Sequence, residues 1–291
     1  MLLRILSVLF PLFAIAIVGW LVGRRSKPDL THANQLNMDV FVPALVFAAL
    51  ASKDFHLSEY LPLAGITLVM VFGSGAMGWV VARVCGIQAK TLVPPVMFNN
   101  CGNIGLPLTV LAFGEKALAP AVVMFMLSNL MHFSVGAWLL DHRARLSTMW
   151  KVPSVQATAA GILVSALSIP VWPPLLVAIK MLGDVSIPLM LFSLGVRLTD
   201  AKFSAWRIGL GGGVLRPLVG LALGFAILAC IDLPPLQRAS VLVFGALPPA
   251  VLNFIFAERY HQEPEKVASI VMIGNLLGLV FLPIALALTL R

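Results

Sequence analysis

Three asparagines lie close together in the middle of a long apolar stretch of the sequence. Residues 97–108 read MFNNCGNIGLPL and contain Asn99, Asn100, Asn103 and Pro107. Carboxamide side chains both donate and accept hydrogen bonds, whereas proline removes a backbone donor and interrupts a helix. The segment therefore predicts a helix that is broken halfway, with polar groups left available at the break.

A second break of the same kind is predicted at residues 244–254, which read FGALPPAVLNF. Pro107 and the proline pair of the second segment suit the first turn of a new helix, where a backbone N–H group is not needed. The start of a helix carries about half a positive charge and free N–H groups, so it binds anions readily. No side chain before Ala250 and Val251 can cap their amides, which would then be available to an anionic ligand.

The two breaks supply the candidate ligand-binding residues, which are Asn99, Asn100, Asn103, Pro107, Pro248, Pro249, Ala250, Val251 and Asn253. Polar residues on other helices are candidates for supporting the breaks by hydrogen bonds, namely Ser128, Asn129, His132 and Asn275. The alternative for the asparagines is that they only cap broken backbone, as polar side chains do in helix bundles. The alternative for His132 is a packing role.

Three charged residues, Asp39, Asp184 and Arg216, lie inside apolar runs, where a charge is costly and often functional. Asp184 and Arg216 are at similar distances from the turn between their helices, which predicts an ion pair. This pair could fix the bundle, or Arg216 could attract an anion and Asp184 could take up a proton. Each aspartate lies four residues before a proline, which frees its backbone carbonyl, so either carboxylate could hold a proton or a cation.

The elements that carry these residues are membrane-spanning helices. Hydrophobic residues make up 60% of the 291 residues and charged residues 11%, whereas about 25% of a soluble domain is charged. Ten apolar runs have roughly the length that a bilayer requires of a helix. They are residues 4–23, 32–52, 60–83, 91–113, 117–140, 154–170, 174–197, 206–231, 236–257 and 267–290.

Positive charges are distributed unevenly between the two ends of these helices. The ends that follow helices 1, 3, 5, 7 and 9 carry thirteen, namely Arg24, Arg25, Lys27, Arg83, Lys90, Arg143, Arg145, Lys151, Arg197, Lys202, Arg207, Arg259 and Lys266. The opposite ends carry six, namely Arg4, Lys53, Lys116, Lys180, Arg238 and Arg291. The positive-inside rule then predicts that both termini lie outside the cytoplasm. The net charge of +8 thus reflects membrane topology and does not indicate a nucleic-acid partner.

An internal repeat relates the two halves of the chain. LNMDVFVPALVFAAL at 36–50 resembles MLGDVSIPLMLFSLG at 181–195, and MLSNL at 126–130 resembles MIGNL at 272–276. The two pairs are separated by nearly equal offsets, 145 and 146 residues. The broken helices 4 and 9 occupy corresponding positions in this repeat.

The repeat predicts two five-helix halves, residues 1–140 and 154–291, joined by a cytoplasmic loop at 141–153. Because five is odd, the second half enters the membrane from the opposite side. Inverted repeats with broken helices at matching positions are typical of secondary transporters, which bind their substrates at the breaks. Irregular backbone at membrane depth is tolerated where it lines a cavity, which explains the breaks.

Motifs for other classes of function are missing from the sequence. There is no GxxxxGK[ST], HExxH or GxSxG pattern, so ATP hydrolysis and the common hydrolase chemistries are not indicated. Cys85, Cys101 and Cys230 do not have the spacing of metal ligands. We therefore expect no enzymatic activity, no cofactor and no metal site.

Several stretches resemble the auxin efflux carrier family, which includes plant auxin exporters and bacterial permeases for malonate, malate and related acids. They are FNNCGNIGLPL, GALPPAVLNFIFAERYHQEPE and the P-x-x-x-F pattern of helices 2 and 7. The resemblance covers essentially the whole chain. It implies ten helices in two inverted repeats, with external termini, a bacterial inner-membrane location and a homodimer.

The resemblance also implies how the helices are grouped. Helices 1, 2, 6 and 7 would form a scaffold, and helices 3–5 and 8–10 a transport domain that moves like an elevator. The family holds its substrate carboxylate at the crossing of helices 4 and 9, which corresponds here to Asn99, Asn100, Pro107, Pro248 and Pro249. The chain lacks the long cytoplasmic loop of the plant carriers, and we do not expect auxin as its substrate.

The sequence therefore predicts an all-α polytopic membrane protein that transports small organic anions such as malonate. The alternative is a sodium- or proton-coupled transporter of the bile acid symporter type that uses Asp39 or Asp184. The two differ in whether those carboxylates reach the cavity at the crossing. The crossing segments contain no acidic residue. This favours the organic-anion transporter that does not use sodium. A membrane sensor or enzyme subunit would need a catalytic motif or an added domain.

Overall fold

The structure, a computed structural model, describes residues 1–52, 55, 57–142, 150–200 and 204–290. These residues form helices and no strand, which confirms the all-α class. The helices are α1 (Leu2–Ser26), α2 (Thr31–Leu50), α3 (Leu57–Val84), α4a (Ala89–Met97), α4b (Cys101–Phe113), α5 (Glu115–Leu140), α6 (Pro153–Ala166), α7 (Pro173–Arg197), α8 (Trp206–Cys230), α9a (Pro235–Ala246), α9b (Leu252–Arg259) and α10 (Pro264–Thr289).

Seven of the described helices are long and apolar enough to cross a membrane, namely α1, α2, α3, α5, α7, α8 and α10. The other three predicted runs correspond to the two broken helices and to α6. Helix α6 has 14 residues, which at 1.5 Å per residue span about 21 Å, less than the roughly 30 Å of a hydrocarbon core. Seven of the ten predicted runs are therefore helices of membrane-spanning length in the described chain, and the other three form shorter helices.

Two helices contain a turn of π-helix shortly before a proline. Residues Asn37–Phe41 of α2 form one such turn before Pro43, and residues Cys101–Gly105 of α4b form the other before Pro107. Proline cannot donate to the carbonyl four residues earlier, and its ring crowds that carbonyl. A wider turn relieves this crowding, and π turns of this kind are frequent at functional sites.

The helices pack in a small number of close pairs. Helix α1 packs along α7, and α2 packs along α6. Helix α3 packs against α4a and α5, and α8 packs against α9a and α10. The helices α1, α2, α6 and α7 thus form one group with no broken helix, and both broken helices pack with α3, α5, α8 and α10.

Glycine allows backbones to touch at two of these crossings, as small residues do in membrane bundles. A Cβ atom on Gly195 of α7 would lie 1.9 Å from the carbonyl oxygen of Ala16 in α1. At the crossing of α8 with α9a, a Cβ atom on Gly220 would lie 2.1 Å from the carbonyl oxygen of Gly245. Any side chain at these positions must push the two helices apart.

We predict that Gly195→Ala destabilises the protein by about 1–3 kcal/mol because the new methyl group overpacks the α1–α7 crossing. Gly211→Ala is the matched control, since a Cβ atom there has no neighbour within 4 Å and alanine favours helix. The measurement is the melting temperature of the detergent-purified variants. Equal melting temperatures for the two variants would contradict this description of the crossing.

A polar contact ties α4a to the turn between α9b and α10. Glu263 accepts hydrogen bonds from the hydroxyl of Thr91 and the ammonium group of Lys266, at 2.5 Å each. The Lys266 ammonium group and the Thr91 hydroxyl lower the pKa of the Glu263 carboxyl below its usual 4.5. On the same side, Lys90 and Gln262 both donate to the carbonyl of Leu140 at the end of α5.

Among the predicted loop charges, Lys53, Arg143, Arg145, Lys202 and Arg291 lie outside the described residues.

We predict that Glu263→Gln lowers the melting temperature at pH 7 by an amount that corresponds to about 1 kcal/mol or less, because the pair is partly exposed. A carboxyl with a lowered folded-state pKa stabilises the protein above pH 4.5, and this contribution is lost as the pH falls through the folded-state pKa. The difference between wild type and variant should therefore shrink as the pH of the melts falls below 4.5, and it should disappear below the folded-state pKa. A difference that is the same at pH 7 and pH 4 would refute the charged contact.

Candidate functional site

The two broken helices meet through their backbones. The N–H group of Asn100 donates to the carbonyl of Pro248 at 2.7 Å, and the N–H group of Ala250 donates to the carbonyl of Phe98 at 3.0 Å. Asn99 and Pro249 lie opposite each other in this antiparallel contact. Both predicted breaks are therefore present, and each supplies the hydrogen-bond partners that the other has lost.

The prolines of the second break lie in the extended crossing. Residue Leu247 is extended, with ψ of 143°, as expected for a residue before proline. Helix α9b begins only at Leu252, so the prediction that Pro248 and Pro249 form its first turn is wrong. Pro107 lies in the first turn of the α-helical part of α4b, Leu106–Phe113, as predicted, and a π turn at Cys101–Gly105 precedes that part.

The asparagine side chains of the crossing are largely used to satisfy its own backbone. The Nδ2 group of Asn99 donates to the carbonyl of Phe244 at 2.7 Å. The Nδ2 group of Asn253 donates to the carbonyls of Phe98 and Ala250 at 3.1 and 3.0 Å. The side-chain oxygens of Asn99 and Asn253 are buried and have no partner in the described part of the chain. Asn99 and Asn253 therefore cap backbone carbonyls at the breaks, which is the alternative role that the sequence left open for the asparagines.

Asn275 of α10 holds the crossing from outside. Its Oδ1 atom accepts a hydrogen bond from Asn100 Nδ2 at 2.8 Å. Its Nδ2 group donates to the carbonyls of Pro249 and Val271 at 3.0 and 2.7 Å. The predicted hydrogen bonds between Asn275 and the broken helices are thus confirmed.

A cavity of about 200 Å³ lies beside the crossing. Its polar side chains come from α2, the first break, α5 and α7: Asn34, Asn37, Asn99, Asn100, Asn103, Ser128, Asn129, His132, Ser193 and Arg197. Its apolar lining includes Val42, Phe125, Met190, Leu194 and Ile255. Most of the predicted site residues meet here, including Ala250 and Val251.

Some predicted site residues do not reach this cavity. Asn253, Pro107 and the pair Pro248–Pro249 are absent from its lining, although they shape the backbone around it. Asn275 also lies behind the crossing, where it bonds to Asn100. These residues build the site and do not face the space in which a ligand would lie.

Backbone amides at the two helix starts are among the hydrogen-bond donors of the residues that line the cavity. In α4b the first hydrogen bond of the helix is donated by the N–H group of Ile104 to the carbonyl of Asn100, so the amides of Gly102 and Asn103 have no partner within the helix. In α9b the first such donor is Asn253, so the amides of Val251 and Leu252 likewise have no partner within the helix. All four residues line the cavity. The predicted amide of Ala250 is not free, since it donates to Phe98 across the crossing.

His132 packs between aromatic rings. It is 4% exposed, stacks on Phe98 with ring centroids 4.0 Å apart, and meets the edge of Phe256 at 5.1 Å. Its Nε2 atom has no hydrogen-bond partner among the described residues. The packing role is thus observed, and His132 also contributes to the cavity wall.

The predicted ion pair between Asp184 and Arg216 is wrong. Asp184 is exposed and lies 3.3 Å from Lys180 one turn earlier, and Lys180 lies 3.5 Å from Glu115. Arg216 is only 1% exposed and donates from Nη1 to the carbonyl of Gly245 at 3.3 Å. Gly245 lies at the C-terminal end of α9a, where the helix dipole is negative. The end of a helix therefore takes the place of the expected carboxylate beside Arg216.

Neither aspartate faces the cavity at the crossing. Asp39 is exposed, whereas its neighbours Asn37 and Met38 line the cavity. Asp184 instead lines a second cavity of about 540 Å³, together with Glu115, Lys116 and other residues of α2, α5 and α7. This second cavity lies at the opposite ends of α2 and α7.

The sequence analysis missed the α2–α7 side of the cavity. Asn34, Asn37, Ser193 and Arg197 line it, but Arg197 was interpreted only as a charge that sets topology. The signal that could have found them is the spacing of Ser193 and Arg197, since residues four apart share one face of a helix. They share that face with Met190 and Leu194, which also line the cavity.

We predict that Asn275→Ala destabilises the protein by about 2–3 kcal/mol, because it leaves the buried carbonyl of Pro249 and the side-chain Nδ2 group of Asn100 without these hydrogen bonds. Asn129→Ala in α5 is the matched control, since Asn129 is the equivalent residue of the repeat, and its side chain lines the cavity without a hydrogen bond to either break in the described chain. Its expected cost is below about 1 kcal/mol. Thermal unfolding of both variants measures the difference, and an equal cost would contradict the structural role of Asn275.

The chain is similar to known membrane transport proteins over nearly its whole length. A family model described as "Membrane transport protein" matches residues 4–160 and 153–286. The chain belongs to this family. This membership confirms the resemblance to the auxin efflux carrier family, and it identifies the chain as a multi-pass membrane protein of a transporter family.

The curated relatives are distant but match over nearly their whole length. A "Putative malonate transporter" of Rhizobium meliloti is 23% identical over 94% of this chain and 92% of the relative. An uncharacterized transporter of Escherichia coli is 24% identical over 87% of each chain. An uncharacterized transporter of Methanocaldococcus jannaschii is 22% identical over 85% of this chain and 87% of the relative.

Proposed function

We propose that this chain is a secondary transporter for small organic anions, with malonate and similar carboxylates as the substrate class, and that the anion binds in the 200 Å³ cavity at the crossing. The observation that carries the proposal is the charge of this cavity. Arg197 is the only Arg, Lys, Asp or Glu among the described residues that line it. The cavity is therefore positive, with two helix starts adding to that charge.

The donors available in the cavity suit a carboxylate. The amides of Gly102 and Asn103 and those of Val251 and Leu252 come from two different helix starts. Helix starts bind anions through such amides and through the helix dipole. The volume of about 200 Å³ is below the roughly 300–1,000 Å³ of pockets for drug-sized ligands. This favours a compact acid over a large aromatic one.

We further propose ten membrane-spanning helices in two inverted halves, residues 1–140 and 154–291, joined by residues 141–153. The pairing of helices supports this organisation. Helix α1 with α7 corresponds to α6 with α2, and α3 with α4a and α5 corresponds to α8 with α9a and α10. The two breaks also contact each other symmetrically, each donating one N–H group to the other.

The proposed mechanism is elevator-type alternating access. Helices α1, α2, α6 and α7 would form the scaffold, and the remaining helices would form the transport domain. Both cavities lie between these two groups, the smaller at one end and the larger at the other. The charge distribution puts the smaller cavity toward the cytoplasm, with both termini outside a bacterial inner membrane. A homodimer formed through the scaffold completes the proposal, which requires no cofactor and no metal.

Cation coupling through Asp39 or Asp184 is not favoured. Such a mechanism needs a carboxylate at the substrate cavity, and neither aspartate lines it. Asp184 instead pairs with Lys180 beside the larger cavity. Transport that does not depend on sodium is therefore part of the proposal.

We predict that malonate stabilises the purified protein equally with and without sodium, by roughly 2.7 kcal/mol at a hundred times its dissociation constant. Val251→Pro should weaken malonate binding about tenfold or more, because it removes one N–H donor to a charged ligand. Proline fits this position sterically, since φ of Val251 is −61°. Val251→Ala is the matched control, because it keeps the amide and should bind malonate nearly as wild type does.

Thermal shifts across a panel of mono- and dicarboxylates provide the measurement. A stabilisation by sodium alone that is lost in Asp184→Asn would overturn the proposal and favour the cation-coupled alternative. Equal malonate affinity in the proline and alanine variants would instead show that the helix start does not bind the anion.

A further inference from the structure

The cavity at the crossing has a second polar wall, whose charge supports the proposed function but whose hydrogen-bond donors that proposal leaves unassigned. The crossing and α5 form one side, and Asn37, Ser193 and Arg197 of α2 and α7 contribute to the other. In the proposed elevator, these two sides belong to different domains. A ligand in the cavity therefore contacts donors on both sides at once.

Arg197 is placed to bind an anion. It lies at the C-terminal end of α7, is half-buried, and forms no ion pair with a carboxylate of the described chain. A guanidinium group presents five N–H donors in a planar fork that matches a carboxylate. The common role of a terminal arginine is to complement the helix dipole, but that role does not require it to line a cavity.

Two buried polar groups beside Arg197 also lack partners. Ser193, one turn before Arg197 on α7, is 4% exposed, and its hydroxyl has no partner among the described residues. Asn37 on α2 is 3% exposed, and its side-chain oxygen has no partner there either. Buried polar groups are normally hydrogen-bonded. A hydroxyl can rotate its hydrogen and a carboxamide can rotate its NH2 group toward an anion.

We propose that Arg197, assisted by Ser193 and Asn37, binds the second carboxylate of a dicarboxylate whose first carboxylate lies at the amides of the crossing. This inference rests on the proposed function and makes it more specific. Arg197 then determines whether a second negative charge is accepted. A monocarboxylate would use only the amide side of the cavity and would bind more weakly.

Malonate and malonamate provide the test, because the second differs from the first by one carboxylate replaced with a neutral amide of the same shape. The wild-type protein should bind malonate at least about tenfold more tightly than malonamate, as expected for hydrogen bonds to a charged group. In Arg197→Gln the affinity for malonate should fall to within about threefold of that for malonamate, whose own affinity changes little. Isothermal titration in detergent measures both affinities for each variant.

Two further variants complete the design. Arg207→Gln is the matched control, since Arg207 packs its guanidinium 5.5 Å above the ring of Trp206 and does not line the cavity. It should keep the wild-type preference for malonate. Ser193→Ala removes a single hydroxyl group and should reduce the preference severalfold, which tests the same wall if Arg197→Gln does not fold.

The outcomes separate this inference from the proposed function. Binding of neither acid by the wild-type protein would refute the proposed function. Binding of both acids by wild type with the same preference in Arg197→Gln, or with an equal loss for both acids, would leave the proposed function standing and overturn the role of Arg197. A preference lost also in Arg207→Gln would attribute it to the overall charge of the protein.

Discussion

The structure depends on the need to satisfy backbone groups where two helices are broken inside an apolar protein. An unsatisfied peptide group in such surroundings costs several kcal/mol. The N–H groups of Asn100 and Ala250 and the carbonyls of Phe98 and Pro248 satisfy each other across the crossing. Neither break could exist alone, because each is the hydrogen-bond partner of the other.

The same constraint explains the side chains around the crossing. Prolines occur where an N–H group would have no partner, and the carboxamides of Asn99, Asn253 and Asn275 reach the carbonyls that the backbone leaves over. Arg216 serves the same purpose at the end of α9a through its bond to Gly245. The groups left without a backbone partner in the described chain include the amides at the two helix starts, whose residues line the cavity. The groups available to bind a ligand are thus those that the hydrogen bonds within the crossing leave unpaired.

Much of this architecture could be predicted from the sequence. The apolar runs, the breaks at residues 97–108 and 244–254, and the role of Asn275 all follow from local composition and from the internal repeat. These features depend on which residues are adjacent in the chain or repeated at a fixed offset. The broken helices were identified for the physical reason that proline and asparagine are costly in an unbroken membrane helix.

The remaining features depend on contacts between distant segments. The partner of Arg216 is a carbonyl, and a carbonyl is present at every residue, so no pattern of residue types could indicate it. The N–H group of Ala250 donates to the carbonyl of Phe98, and this bond depends on how α4a approaches the second break. The position of Arg197 in the cavity wall depends on the packing of α7, while its place at a helix end is equally consistent with a topological role.

The central claim is that the amides left free by the crossing bind the anion. A cryo-EM structure of the protein with malonate tests it most directly. The account predicts density for the acid in the 200 Å³ cavity, within hydrogen-bonding distance of the amides of Asn103 and Val251. Density for malonate only in the larger cavity beside Lys180 and Asp184, with the crossing empty, would contradict it.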